Sequence, residues 1–225
     1  MAELPDITGH SQGLKAVSMA KVGTPAHPTE SGPPIYCPSD AIGTALRQGE
    51  IITNLVQVRL NLDELKGGKL IADRIEHPFA IVLTQDCDCI QDHNSRLTSP
   101  GNNTRETPNI VFGEVHTADW MRDGNNPRKI DSDIWKRGVK GNKNERYHFL
   151  EAVTAEEDAQ SEGLPELTID FRRYFSIPTD EVYYRLEIGE AKRRCRLVSP
   201  YLEHLGARFS FFAQRVALPR DHESI

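Results

Sequence analysis

The sequence predicts an α+β fold in which short apolar strands curl into a small barrel or sandwich, with helices packed on its flanks. Three observations carry that expectation. Runs such as Glu50 to Leu60 and Pro78 to Thr84 are rich in β-branched residues and are bounded by Gly, Pro and polar groups. In the first of them Ile52, Val56 and Val58 lie on one side of the pleat and Ile51, Thr53 and Leu55 on the other, as in a strand with both faces covered. The chain later carries Leu202, Leu205, Phe209, Phe212 and Val216 at spacings of three and four, the stripe of an amphipathic C-terminal helix.

Taken in order, residues 1–34 read as a flexible, disordered N-terminal arm. Pro25, Pro28, Pro33 and Pro34 deny it regular structure, and large apolar groups are few. Residues 35–225 read as a single domain with loop insertions and C-terminal helices. A short helix is expected after Ser39 as N-cap, with Ala41, Ile42 and Leu46 on one face. The strand Glu50 to Leu60 follows, then a turn at Lys66-Gly67-Gly68-Lys69. The strand Pro78 to Thr84 ends directly at Gln85-Asp86-Cys87-Asp88-Cys89, and a polar loop runs from Gln91 to Pro108. Further strands are expected at Asn109 to Val115, Tyr147 to Leu150 and Leu167 to Ile177, with an exposed acidic loop over Glu151 to Glu162. Thr179 caps a helix that turns Val182 and Leu186 inward and ends at Gly189. Ser199-Pro200 starts the last helix, since Pro is tolerated in the first turn.

Bulk properties limit the function classes. A net charge of −6 over 225 residues argues against an overall pull towards nucleic acid or anionic lipid. No apolar run approaches the ~18–20 residues that cross a bilayer. The first residues hold Glu3 and Asp6 and no apolar core, unlike an export signal. The four cysteines, Cys37, Cys87, Cys89 and Cys195, are therefore expected as thiols in a cytoplasmic protein.

Gln85, Asp86, Cys87 and Asp88 form a dense polar cluster at a strand end. Alternation along a strand would bury Cys87 and Cys89 and turn Asp86 and Asp88 to water. The chemical alternative is a metal- or thiol-dependent centre over Asp86 to His93. Cys87, Cys89 and His93, with Cys37 as a fourth ligand, would suit zinc, and Asp86, Asp88 and Asp92 would suit magnesium. The C-x-C spacing is not the usual zinc pair, and no particular histidine is marked as the partner of a nucleophilic Cys87. Lys136, Arg137, Lys140 and Lys143 could follow a phosphate backbone, with Trp135 or Tyr147 stacking a base; flanking Asp131, Asp133 and Glu145 favour a solvated loop. Lys192, Arg193, Arg194 and Arg196 form a second basic knot, expected between two helices.

Three segments resemble the MazF/PemK family of small SH3-like β-barrels with appended helices. Gln48-Gly49-Glu50-Ile51-Ile52 is similar to the family's opening strand, and His77-Pro78-Phe79-Ala80-Ile81-Val82-Leu83-Thr84 to its second. Leu167 to Val182 is similar to a late strand that turns into a helix. The resemblance implies an SH3-like barrel in a bacterial toxin–antitoxin or phage-defence system, often dimeric, with a protein partner and single-stranded RNA as its ligand classes. The family's catalytic pattern is altered here. His77 stands where an arginine precedes the proline, and Val115 where a Ser or Thr is required, with Thr117 two residues on. RNA cleavage needs a base for the 2′-hydroxyl and a cation for the phosphate. His77 with Arg172 or Arg173 would supply them in an endoribonuclease; a diverged, non-catalytic binding component is the leading expectation.

Overall fold

The computed structural model describes residues 34–98 and 104–214. The expected N-terminal arm, apart from Pro34, lies outside the described residues, as does Val216 of the C-terminal stripe. The strands are β1 (Tyr36–Pro38), β2 (Glu50–Leu60), β3 (Ala72–Val82), β4 (Asn109–Thr117), β5 (Tyr147–Leu150), β6 (Leu167–Pro178) and β7 (Lys192–Leu197). They form one antiparallel sheet of order β1-β7-β2-β3-β4-β6-β5. The expected runs around Ile51, Ile81, Ile110 and Ile169 thus lie on four consecutive neighbours, with Ile51 opposite Ile81, Ile81 opposite Gly113 and Val115 opposite Ile169. Among the described residues the outer strands β1 and β5 do not pair with each other, so the sheet is open and not the closed barrel that the sequence predicts.

Both faces are covered, which is why the strands read as apolar on both sides. On one face Ile51, Ile81, Leu83, Val115 and Ile169 pack with Leu205 and Phe212 of α6 (Tyr201–Ala213). Fully burying a side chain such as Leu205 contributes about 1.5–3 kcal/mol. On the other face Ile52, Val82, Ile110 and Phe112 meet Val182 and Leu186 of α5 (Thr179–Glu187). Asn54, opposite Pro78 with φ 59°, breaks the alternation, so that Ile52 and Leu55 share this second core. Gly189, at φ 75°, follows the end of α5. A third cluster joins Met121, Ile130, Trp135 and Phe149 beyond β5.

Three elements depart from expectation. The segment after Ser39 forms turns, because six residues interrupted by Gly43 at φ 89° are too few to nucleate a helix; Leu46 is buried and Ile42 is exposed. The polar run after Thr84 is not a strand end followed by a loop. It is α2 (Asp86–Thr98), whose first turn carries Asp86 and Asp88, as the helix dipole favours. The Lys192 to Arg196 knot is strand β7, in which Arg193 and Arg194 are buried and paired with Glu50 and Asp158. Shorter helices α1 (Leu62–Lys66), α3 (Ala118–Arg122) and α4 (Ser132–Ile134), the last running into a π-helical turn at Trp135–Val139, complete the described fold. No described helix is long and apolar enough to cross a membrane.

At the edge strand β5, the Asn142 side chain donates to the Phe149 carbonyl (3.0 Å) and accepts from the Phe149 N–H (2.6 Å). Arg208 of α6 donates to the carbonyl of Tyr147 at 2.8 Å and also to those of Asn142 and Asn144.

Candidate functional site

Gln85 to Asp88, expected at a strand end, lie instead at the start of α2. β3 ends at Val82, and the Gln85 carbonyl accepts from the N–H groups of Asp88 and Cys89 to begin α2. Asp86 is held in place from a distance of about forty residues. Arg47 donates to both of its oxygens, Nε at 2.7 Å and Nη2 at 2.6 Å, and the Gln48 N–H adds a third bond at 3.1 Å. The hydrogen bonds from Arg47 outweigh partial burial and hold the Asp86 carboxyl below its ordinary range.

Helical geometry also separates the two cysteines, contrary to the expected strand alternation. Cys89 is fully buried against the Thr84 carbonyl, and burial pushes its thiol up to about 12. Cys87 is exposed, with Gln85 Oε1 and Asp88 Oδ1 each 3.7 Å from its sulfur.

The corner opens into a cleft of about 740 Å³, walled by Gln48, Gln85, Asp86, Cys87 and Asp88 on one side and by Gly206 and Ser210 of α6 on the other. A glycine lets the helix come this close. At Gly49, with φ 75°, a Cβ would stand 2.8 Å from Leu202 Cδ1 of α6. At Gly206 the nearest neighbour of a Cβ would be Gln48 Nε2 at 3.7 Å, so the bare backbone faces the corner. The cleft lining includes no lysine, arginine or histidine. It offers carboxylate, amide and hydroxyl groups, a surface for cationic or hydrogen-bond-donating ligands. A thiol nucleophile at Cys87 would find no imidazole among these walls.

The proposed metal ligands do not converge. Cys89 points into the core, and the His93 ring lies 5.9 Å from that of Tyr183, in a separate pocket with Arg96 and Leu97. Cys37 accepts from Arg196 Nε at 3.2 Å. Asp92 is fully buried and bound by Arg96 and the Thr107 N–H. Among the described residues, no three His, Cys, Asp or Glu side chains are placed to share a metal ion. Neither the zinc set nor the magnesium set read from the sequence is thus brought together among the described residues.

The ribonuclease residues are also redirected. His77 is 7 % exposed and stacks flat on Phe175, with ring centroids 3.8 Å apart. Burial lowers its pKa, and its Nε2 has no hydrogen-bond partner. Val115 lies in the core, and the half-buried Thr117 hydroxyl accepts from the Trp120 N–H as the cap of α3. Arg172 is exposed, and Arg173 reaches Glu114 at 3.8 Å and Asp170 at 3.9 Å. Glu114 is the centre that sequence reading misses. It bonds His116 Nε2 at 2.6 Å and Arg128 Nη1 at 3.0 Å. Burial alone would raise its pKa, but those two bonds prevail and hold it at about 2. An acid set in the apolar run Val111 to Val115 is the signal that could have found it.

Lys136, Arg137, Lys140 and Lys143 are exposed, as the basic loop predicts. Their proposed stacking partners are not free. Trp135 is buried edge-on against Phe149, and the Tyr147 ring is buried beneath the Arg146 guanidinium.

Comparison with protein-family models, with curated proteins and with solved structures found no match to this chain.

Proposed function

We propose that the chain is a protein-binding component that takes an extended, cationic peptide segment of its partner into the cleft beside Cys87, and that it does not cut RNA. The observation that carries this reading is the lining of the cleft. Asp88 is exposed among amides and hydroxyls, with no lysine, arginine or histidine in the lining, and suits a lysine or arginine side chain, whereas Asp86 is already paired with Arg47. The ribonuclease alternative is disfavoured because His77 is stacked and buried, Val115 is core and Thr117 is a helix cap. The likeness of three segments to MazF/PemK proteins supplies the setting: a diverged relative acting by recognition in a cytoplasmic toxin–antitoxin or phage-defence system.

Two assays on the purified protein test this. Peptide arrays are expected to yield lysine- or arginine-bearing binders, weakened about tenfold by Asp88→Asn, the loss of one charge-assisted contact. Incubation with single-stranded RNA is expected to leave it intact. Defined RNA fragments that vanish in His77→Ala would overturn the reading in favour of an endoribonuclease.

The four exposed cations of the Lys136 to Lys143 loop favour a second reading, in which single-stranded RNA is a bound and uncleaved ligand. Its mark is RNA affinity that falls with salt and drops further when Lys140 and Lys143 become Glu.

A further inference from the structure

We propose that the far half of the β2–β3 hairpin is a dimerisation arm, which pairs with the same arm of a second copy of the chain along the free edge of β3, in a two-fold register centred on Ile75. β7 accompanies β2 only from Glu50 to Thr53, and β4 accompanies β3 only from Phe79 to Val82. Beyond those limits, among the described residues, the two strands pair only with each other, from Leu55 opposite His77 to Leu60 opposite Ala72, and they are joined through α1. A lone two-stranded ribbon is marginally stable at best in water and needs a third strand or a covered face. Towards its tip this one has neither. α1 buries no residue, and Val58, Leu60, Leu62, Leu65, Leu70 and Ile71 are each at least 43 % exposed. They are six of the fourteen exposed large apolar side chains among the described residues, a concentration that marks a surface another molecule covers.

The charge pattern identifies the occupant, because it complements itself. Residues 54–78 hold four basic and four acidic side chains in a chain of net charge −6, so two arms meet without the repulsion that the rest of the chain imposes. On β3, Arg74 and Glu76 are exposed, and neither enters an ion pair among the described residues. Two β3 strands running antiparallel about Ile75 set Arg74 of each copy opposite Glu76 of the other, which makes two opposite-charge cross-strand pairs. A register centred on Asp73, Arg74 or Glu76 would instead set like charges face to face. Within the hairpin Val58 lies opposite Arg74 and Val56 opposite Glu76, so each of these rows across the four-stranded ribbon runs valine, charge, opposite charge, valine. The same register brings Ile71 of each tip level with Phe79 of the other copy, at the foot of its ribbon. Residues 54–78 also fall within the roughly 20–30 residues a side of a standard interface. The β5 edge offers no such ladder, since Asn142 and Arg208 already occupy Phe149 and Tyr147.

Analytical ultracentrifugation of the full chain over a range of concentrations tests this. The parent is expected as a reversible dimer of about twice 25.3 kDa. Arg74→Glu sets carboxylates against each other across the two-fold axis, and Glu76→Arg sets guanidiniums against each other. Each is expected to weaken the dimer about tenfold or more. An equimolar mixture of the two variants regains both opposite-charge pairs, as does the chain that carries both changes, and each is expected to dimerise with the parent's affinity. Recovery in the mixture also shows that neither change harms the fold. A parent that stays at 25.3 kDa would overturn the proposal and leave the apolar tip to a different protein. Single variants as dimeric as the parent would overturn it too, by placing the contact elsewhere. Monomeric single variants whose mixture stays monomeric would refute the register about Ile75.

Discussion

Arg193 on β7 and Glu50 on β2 form an ion pair from which water is all but excluded, with 4 % and 0 % of the residues exposed. The guanidinium bonds both carboxylate oxygens and also the carbonyls of Ala41, Thr44 and Ala45. One side chain thus ties the sheet to the turns that precede β2. The same turns carry Arg47, which fixes Asp86 in the cleft wall.

Removing one partner of such a pair strands a buried charge. Arg193→Ala is expected to destabilise the protein by about 3–5 kcal/mol, whereas Glu50→Leu with Arg193→Met should cost much less. Urea unfolding of the two variants beside the parent checks this. A double variant as unstable as Arg193→Ala would show that the carbonyl contacts matter more than the charge.

Burial holds the His148 imidazole at about 3, with Arg208 and His204 acting in the same direction. A histidine that stays neutral when folded and protonates when unfolded leaves stability whole above pH ~6.5. Stability then falls as pH drops towards 3, by at most ~1.4 kcal/mol per unit. Glu114 and Asp158, each held at about 2 by their cationic partners against the effect of burial, act lower. Their stabilisation is present above pH ~4 and is lost as pH falls through 2. His148→Asn should flatten the dependence between about pH 3 and 6.5; unfolding curves at several pH values that keep the parent's slope in this variant would refute the assignment.

The cysteines should divide by reactivity. Cys87 is exposed, whereas burial pushes the thiols of Cys89 and Cys195 well above the ordinary range. A thiol reagent is expected to label Cys87 first in the native protein and Cys89 and Cys195 only on unfolding. Loss of the fast phase in Cys87→Ser confirms it, and fast labelling of Cys89 would mean that α2 is not seated as described.

Gly49 combines a left-handed backbone with a Cβ position 2.8 Å from Leu202. Gly49→Ala should cost about 1–3 kcal/mol through backbone strain and should also move α6 away from the corner. A melting temperature and peptide affinity both equal to the parent's would show that neither constraint operates.

Much of the sheet was legible in the sequence. β2 and β5 fall on the residues that the apolar runs predict, and α6 follows Ser199-Pro200 as expected. α2 was hidden because its buried residues are Cys89, Asp92 and Ser95, which make no apolar stripe. β7 was hidden because Arg193 and Arg194 are neutralised by Glu50 and Asp158, which lie far away along the chain. The same limit applies to the site. Gln85 to Asp88 stand together in sequence, but Gln48, Gly206 and Ser210 reach them only through the fold.

The amide of Asn142 imitates a neighbouring strand: it satisfies the outward N–H and C=O of Phe149 as another backbone would, and Arg208 occupies the Tyr147 carbonyl nearby. With these groups already bonded, an incoming chain finds no free ladder at that margin. That margin is thereby protected from growing edge to edge into larger aggregates, and a partner that docks there by lending a strand would have to displace two side chains first.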